Sequence, residues 1–376
     1  MTPLSSEEEQ HSRAVAQAIR GRIEEAGGWI PFDAFMELAL YAPGLGYYSA
    51  GAVKLGASGD FVSAPELSGL FSACVARQCA EVLARTGGSI LELGAGTGRM
   101  AASILETLAS LDALPQHYFI LEISADLRAR QETKLEQLSG QLRKKIIWLE
   151  SLPNMPTPGV ILANEVLDAL PCERFVIHGS QAHALGVSLA ADGSFVWREA
   201  DEGQELEFRA ALPDNYTLEI CTRIAPWIAG LGACLERGVI LLFDYGLPRA
   251  HYYHPQRSAG TLRCHFKHRA HDDPFINLGV QDITAWVDFT RVAEAADAAG
   301  LHVCGFATQA AFLLGTDIES FITEAPDAIA RARLASEARQ LLMPGEMGEI
   351  FKAMALSRDY DGVMSGFSVQ DLRHLL

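Results

Sequence analysis

The chain has no CxxC cysteine pair, no apolar run near the roughly 18 residues of a membrane-spanning helix, and fewer cations than anions. Each absence removes a class of function. Cys74, Cys79, Cys172, Cys221, Cys234, Cys264 and Cys304 are scattered along the chain, an odd set that reads as reduced core thiols and hence as a cytoplasmic protein. No membrane span is expected. The start, MTPLSSEEEQ, lacks the basic, apolar, small-residue order of a secretory leader. Lys and Arg total 30 against 47 Asp and Glu, a net charge of −17. Without a basic footprint, generic binding to nucleic-acid phosphates is not expected.

What is present is core-forming material. Hydrophobic residues make up 49% of 376, which argues against global disorder. There is no internal repeat, heptad run or low-complexity block. Helical spacing over 7–26 stops at Gly27-Gly28, and 32–41 reads as a short helix. A glycine-rich loop from 43 to 59 follows, then helical spacing again over 66–86. From residue 89 the rhythm becomes strand, helix, strand. Apolar runs at 89–93, 118–123, 145–149, 160–163, 239–243, 301–306 and 350–356 alternate with helical stretches at 98–110, 125–138, 284–299 and up to about 342. All-apolar strands alternating with helices predict a parallel sheet covered on both faces, an α/β doubly wound, Rossmann-like fold of seven strands. Period-two alternation over 172–198 predicts inserted antiparallel strands. The expected organisation is an N-terminal helical cap and lid over 1–86. A core over 87–376 follows, with insertions at 172–235 and 247–283.

The strongest local signal is ILELGAGTGRM, residues 90–100. A strand runs into Gly94-Ala95-Gly96-Thr97-Gly98 and a helix follows, so the backbone turns sharply and lets a ligand lie against it. The spacing is GxGxG, where a dinucleotide loop has GxGxxG. Glu92 inside the strand is placed to orient the loop or a ligand's amino group. Glu122 closes the next strand, where an acid accepts hydrogen bonds from ribose hydroxyls of either cofactor class. The fourth strand ends in Asn164-Glu165-Val166-Leu167-Asp168, a polar cluster on the edge where such sheets bind ligands. Asp168 also suits a helix cap or turn, since Asp-Ala-Leu-Pro follows.

These residues resemble the MidA family of class I methyltransferases, which includes a mitochondrial complex I assembly factor that dimethylates an arginine. The likeness runs through LYAPGLGYY (40–48), GDFVSAPELSGLF (59–71), LELGAGTGRM (91–100), ANEVLDALP (163–171), LLFDYG (241–246), GTLRCHFKHRAHDDPF (260–275), QDITAWVDF (281–289) and MGEIFKAMALS (347–357). It implies a class I fold, S-adenosylmethionine as cofactor and a protein substrate, with a respiratory-complex subunit as one candidate. By position it places Gly94, Ala95, Gly96, Thr97 and Gly98 in the cofactor loop and Glu122 on its ribose, with Ile123 and Ser124 beside it as further cofactor contacts. Leu149–Leu152, with Leu149 and Glu150 foremost, would line its adenine, and Asn164 and Glu165 would face its methionine end and methyl group. Two positions depart from the family pattern: Ser72 replaces a glycine, and Trp286 a histidine.

Methyl transfer from a sulfonium needs alignment and exclusion of water more than covalent help. An arginine nucleophile also needs carboxylates to grip its guanidinium, and Glu165, Asp168 and Asp244 are the candidates, with Tyr245 available to pack on its face. Tyr47, Tyr48, Asp60 and Phe61 are candidate lid residues. His251, His254, Cys264, His265, His268 and His271 invite a zinc reading, but their spacing fits no common pattern and interleaved cations oppose it, so no metal is expected. A rim contact to an acidic part of a partner fits that segment better. The leading reading is a protein arginine N-methyltransferase. A small-molecule or carboxyl methyltransferase, and an assembly factor or chaperone that works by binding, are the alternatives. A homodimer is left open.

Overall fold

The computed structural model describes residues 3–50, 63–206 and 212–376. It separates into two compact units, one gathering 1–61, 168–224 and 249–286, the other 62–167, 225–248 and 287–376.

The second unit is built on one sheet. Its strands are β1 (Ser89–Leu93), β2 (Tyr118–Leu121), β3 (Ile146–Leu149), β4 (Thr157–Asn164), β5 (Leu235–Leu247), β6 (His302–Thr308) and β7 (Phe351–Arg358). They lie in the order β3-β2-β1-β4-β5-β7-β6, and a two-residue strand, Val287–Asp288, pairs beside β5 as an eighth. The first five run parallel, and β7 is antiparallel to both β5 and β6. Val239 to Phe243 are buried without a break because helices cover both faces, as the all-apolar run implied. The doubly wound sheet expected from the sequence is therefore present. The order reverses at β1 and β4, and the C-terminal ends of those strands form the edge where such sheets bind ligands.

Helix Gly69–Thr86, which the sequence reading placed in the N-terminal cap, packs in the core of this unit. Phe71 meets Phe243 edge-on at 5.2 Å, and Phe243 meets Phe312 at 4.9 Å. Its residues 70–76 are nearly all apolar and buried, and nonpolar area removed from water outweighs position in the chain.

The first unit opens with helix Ser6–Glu25, started by a capping box between Ser5 and Glu8. The period-two stretch forms antiparallel strands Glu173–His178 and Gln181–Leu189, joined by Phe195–Gln204 and Thr217–Ile220. Phe32, Phe35 and Tyr47 fill its core.

Candidate functional site

The glycine loop follows β1 directly. Gly94, Gly96 and Gly98 take φ of +67°, +54° and +80°, the left-handed region that residues with a Cβ avoid, which is why the turn needs glycine at alternate positions. Helix Arg99–Ser110 begins at once, so its unpaired N–H groups open onto the loop. The loop is held from outside: Thr97 donates to the Glu66 carboxylate, and Arg99 donates to the Glu66 carbonyl at 2.8 Å. Glu92 is 2% exposed and accepts from Tyr118 at 2.7 Å. Burial pushes its carboxyl up to about 7, the Tyr118 bond working the other way.

Glu122 stands at the end of β2. One carboxylate oxygen accepts from the Ser124 amide at 2.8 Å, the other from Gln131 at 2.9 Å. Burial raises its pKa against those bonds. Ile123 beside it is 77% exposed, an apolar side chain left bare next to a carboxylate. Ser124 caps helix Ala125–Leu135. On β3, the Leu149 carbonyl accepts from the Glu122 amide at 3.1 Å, and exposed Glu150 reaches Arg128 at 4.0 Å.

The end of β4 is a strained corner. Glu165 has φ +52°, uncommon for a side chain of its kind, with its amide donating to the Phe243 carbonyl at 2.9 Å. Asn164 donates to the Glu165 carboxylate at 3.1 Å, while its own buried Oδ1 has no hydrogen-bond partner among the described residues. Asp244, 1% exposed at the end of β5, braces this corner. Its Oδ2 accepts from Val166 at 3.2 Å and Leu167 at 2.9 Å, and its Oδ1 from Tyr245. A Cβ added to Gly94 would lie 2.9 Å from Val166, so the corner and the glycine loop are adjacent.

The second unit thus brings together Glu92, the 94–98 loop, Glu122, Ile123, Ser124, Leu149, Glu150, Asn164, Glu165 and Asp244. Asp168 belongs to the first unit. It lies in a turn with no helix behind it, and its carbonyl accepts from Ala285 at 3.0 Å. Tyr245 packs edge-on against Phe351 at 5.4 Å. Of the lid residues, Tyr47 is a core side chain and Tyr48 donates to Asp282 at 3.0 Å, while Asp60 and Phe61 lie outside the described residues.

In the histidine-rich segment, His254 and His271 each accept from a backbone amide two residues on, and Cys264 is buried in the core. No group of three metal-ligating side chains occurs among the described residues. Lys267 pairs with Glu8, and Arg263 with Asp272. Sequence reasoning passed over Glu66, Gln131 and Trp148. Glu66 lies in GDFVSAPELSGLF, but nothing in spacing says that it reaches the loop, and Gln131 is one polar residue among several in its helix.

A family model of S-adenosyl-L-methionine-dependent methyltransferases matches residues 74–307. The chain is 38% identical to a Burkholderia thailandensis protein crystallised with S-adenosyl-homocysteine, over 100% of both chains, with a TM-score of 0.95. It is 25% identical to the mitochondrial protein arginine methyltransferase NDUFAF7 homolog of Drosophila melanogaster, covering 96% of this chain and 88% of that one. It is 26% identical to the Danio rerio protein arginine methyltransferase NDUFAF7, also mitochondrial, covering 87% and 83%. The cytoplasmic location expected from the cysteines does not stand against these relatives, which are named as mitochondrial. Free thiols do not by themselves name a compartment. Among the described residues, no helix is long and apolar enough to cross a membrane.

Proposed function

This chain belongs to the family of S-adenosyl-L-methionine-dependent methyltransferases, and from that premise we propose that the nitrogen it methylates is an arginine's, carried on a protein. The names of the curated relatives support this substrate, as does the acidic balance of the chain.

The observation that carries the reading is the corner at the end of β4. A buried acceptor without a partner costs about 1–3 kcal/mol, so the Oδ1 of Asn164 fits a donor that a ligand brings. The amino group at the methionine end of the cofactor is such a donor. Gly94, Ala95, Gly96, Thr97 and Gly98 would run beneath it. Glu122 would accept from the ribose hydroxyls with Ser124 holding its carboxylate, and Ile123, Leu149 and Glu150 would flank the adenine. Ile123 is left bare for that contact. Glu92, turned to Tyr118, supports β1 from within and does not reach out to the ligand.

S-adenosylmethionine supplies an electrophilic methyl group on a sulfonium. Glu165 then has two tasks in this reading. Its carboxylate accepts the guanidinium N–H groups, concentrating the positive charge on the nitrogens it holds so that another keeps its lone pair for attack. It also draws off the proton that the new C–N bond releases as the C–S bond breaks. Asp244, committed to backbone amides, keeps Glu165 in its left-handed conformation and is a positioning residue. A respiratory-complex subunit, which the family resemblance implies, is the protein to test first.

The test is transfer of an isotopically labelled methyl group by the purified protein, with the product read by mass spectrometry. Base-stable label on arginine, matched by loss of that modification in cells lacking the gene, is expected. Label in a base-labile ester or in small molecules alone would overturn the reading.

A further inference from the structure

We propose that Gln131 is a positioning residue that fixes the nucleoside half of the cofactor site by tying the glycine loop to Glu122. The inference rests on the reading that Glu122 takes the ribose hydroxyls. Gln131 lies on helix Ala125–Leu135, is fully buried, and has every group of its amide committed. The indole of Trp148, which can only donate, gives its N–H to Gln131 Oε1 at 2.9 Å. That bond settles which way the amide faces. The two N–H groups of Nε2 then meet two acceptors, the Gly96 carbonyl at 3.1 Å and Glu122 Oε2 at 2.9 Å.

One side chain thus joins three segments that the chain reaches separately: a carbonyl of the loop after β1, the carboxylate at the end of β2, and the indole on β3. Gly98 packs against the same residue: a Cβ there would lie 3.3 Å from the Gln131 Cα, in addition to the left-handed φ that already favours glycine. Glu122 receives one bond on each oxygen, from Ser124 and from Gln131, which fixes its carboxylate before any ligand arrives. Preorganised acceptors bind hydroxyls without the cost of ordering them, so the contribution belongs to cofactor affinity.

The full-length protein, calorimetry with S-adenosylhomocysteine and a double-mutant cycle test this. Gln131→Met keeps the length and loses both donors, and is expected to weaken binding about tenfold. In kinetics the loss should fall on KM for the cofactor more than on kcat. Glu122→Gln should weaken binding at least as much, and the double variant should lose clearly less than the sum of the two single losses, because the bond between Gln131 and Glu122 is counted in both. Gln131→Glu keeps the shape if the methionine variant does not fold. It sets two acids side by side, so its affinity should recover as pH falls. Weak binding by Glu122→Gln with normal binding by both Gln131 variants would overturn the inference and leave the ribose reading standing. Additive losses would overturn it too, since Gln131 would then act independently. Normal binding by Glu122→Gln would remove the ribose reading, and the inference with it.

Discussion

Gly96 and Glu165 hold the same kind of backbone, φ +54° and +52°, with opposite means of tolerating it. Glycine adopts it freely; glutamate adopts it against a cost of order 1 kcal/mol. Gly96→Val puts a branched side chain both in a forbidden region and on the face where the backbone would meet the ligand. It should abolish S-adenosylmethionine binding in calorimetry while circular dichroism shows the fold intact. Normal affinity in a folded variant would place the cofactor elsewhere. At Glu165 the substitutions separate stability from chemistry. Glu165→Gly relieves the strain, and should melt higher by about 1 kcal/mol of stability while methyl transfer collapses. Glu165→Gln keeps the strain and removes the charge. It should slow transfer about ten- to a hundredfold at saturating cofactor, the worth of one charge-assisted bond. Unchanged turnover in both would remove Glu165 from the chemistry.

At the scale of the element, helix Gly69–Thr86 carries Ser72, whose buried hydroxyl has no hydrogen-bond partner among the described residues. Ser72→Ala deletes that group without opening a cavity larger than one oxygen. It should raise stability by about 1 kcal/mol, since alanine also favours the helix. A lower melting temperature would mean that the hydroxyl has a partner the variant loses. The same helix shows where the sequence was readable. Its period of 3.6 was plain, yet its place in the sheet's core was not, because periodicity reports a buried face without saying what buries it. Strands β1, β2 and β5 were legible for a related reason: runs such as Val239 to Phe243 have no polar face to present to water. The helix expected over 284–299 begins only at Phe289. Asp288 caps it by accepting from the Thr290 and Arg291 amides, and two short strands occupy the residues before. In the site, glycine spacing announced the loop and strand ends announced Glu122, Asn164 and Glu165. Glu66 reaches Thr97 across 31 positions, and Gln131 reaches Glu122, Trp148 and Gly96 across 9, 17 and 35, separations that no helix or strand period encodes.

For the whole molecule, stability against pH sums groups that pull in opposite directions. Glu92 is held by burial at about 7, well above an ordinary carboxylate. The folded state therefore binds a proton that the unfolded chain has released between about 4.5 and 7, so the contribution of Glu92 is complete below that window and is lost as pH rises through it. His265 opposes it. Burial, with His271 and Arg263 nearby, lowers its pKa, so its contribution grows as pH rises toward the ordinary histidine value. Lys352, lowered by burial to about 8, is protonated in both states below that pH and adds no slope there. Asp371, held near 2 by Arg373, acts only in acid. The net charge of −17 adds self-repulsion that also eases as pH falls. A melting curve of the parent protein alone cannot divide these terms, but its difference from Glu92→Gln can. The amide keeps an acceptor for Tyr118 and removes only the titration. The variant's melting temperature, relative to the parent, should climb from pH 5 to about pH 7 and level off above it. A difference that stays flat across that interval would mean that Glu92 titrates as an ordinary carboxylate, and that β1 carries its acid in contact with water.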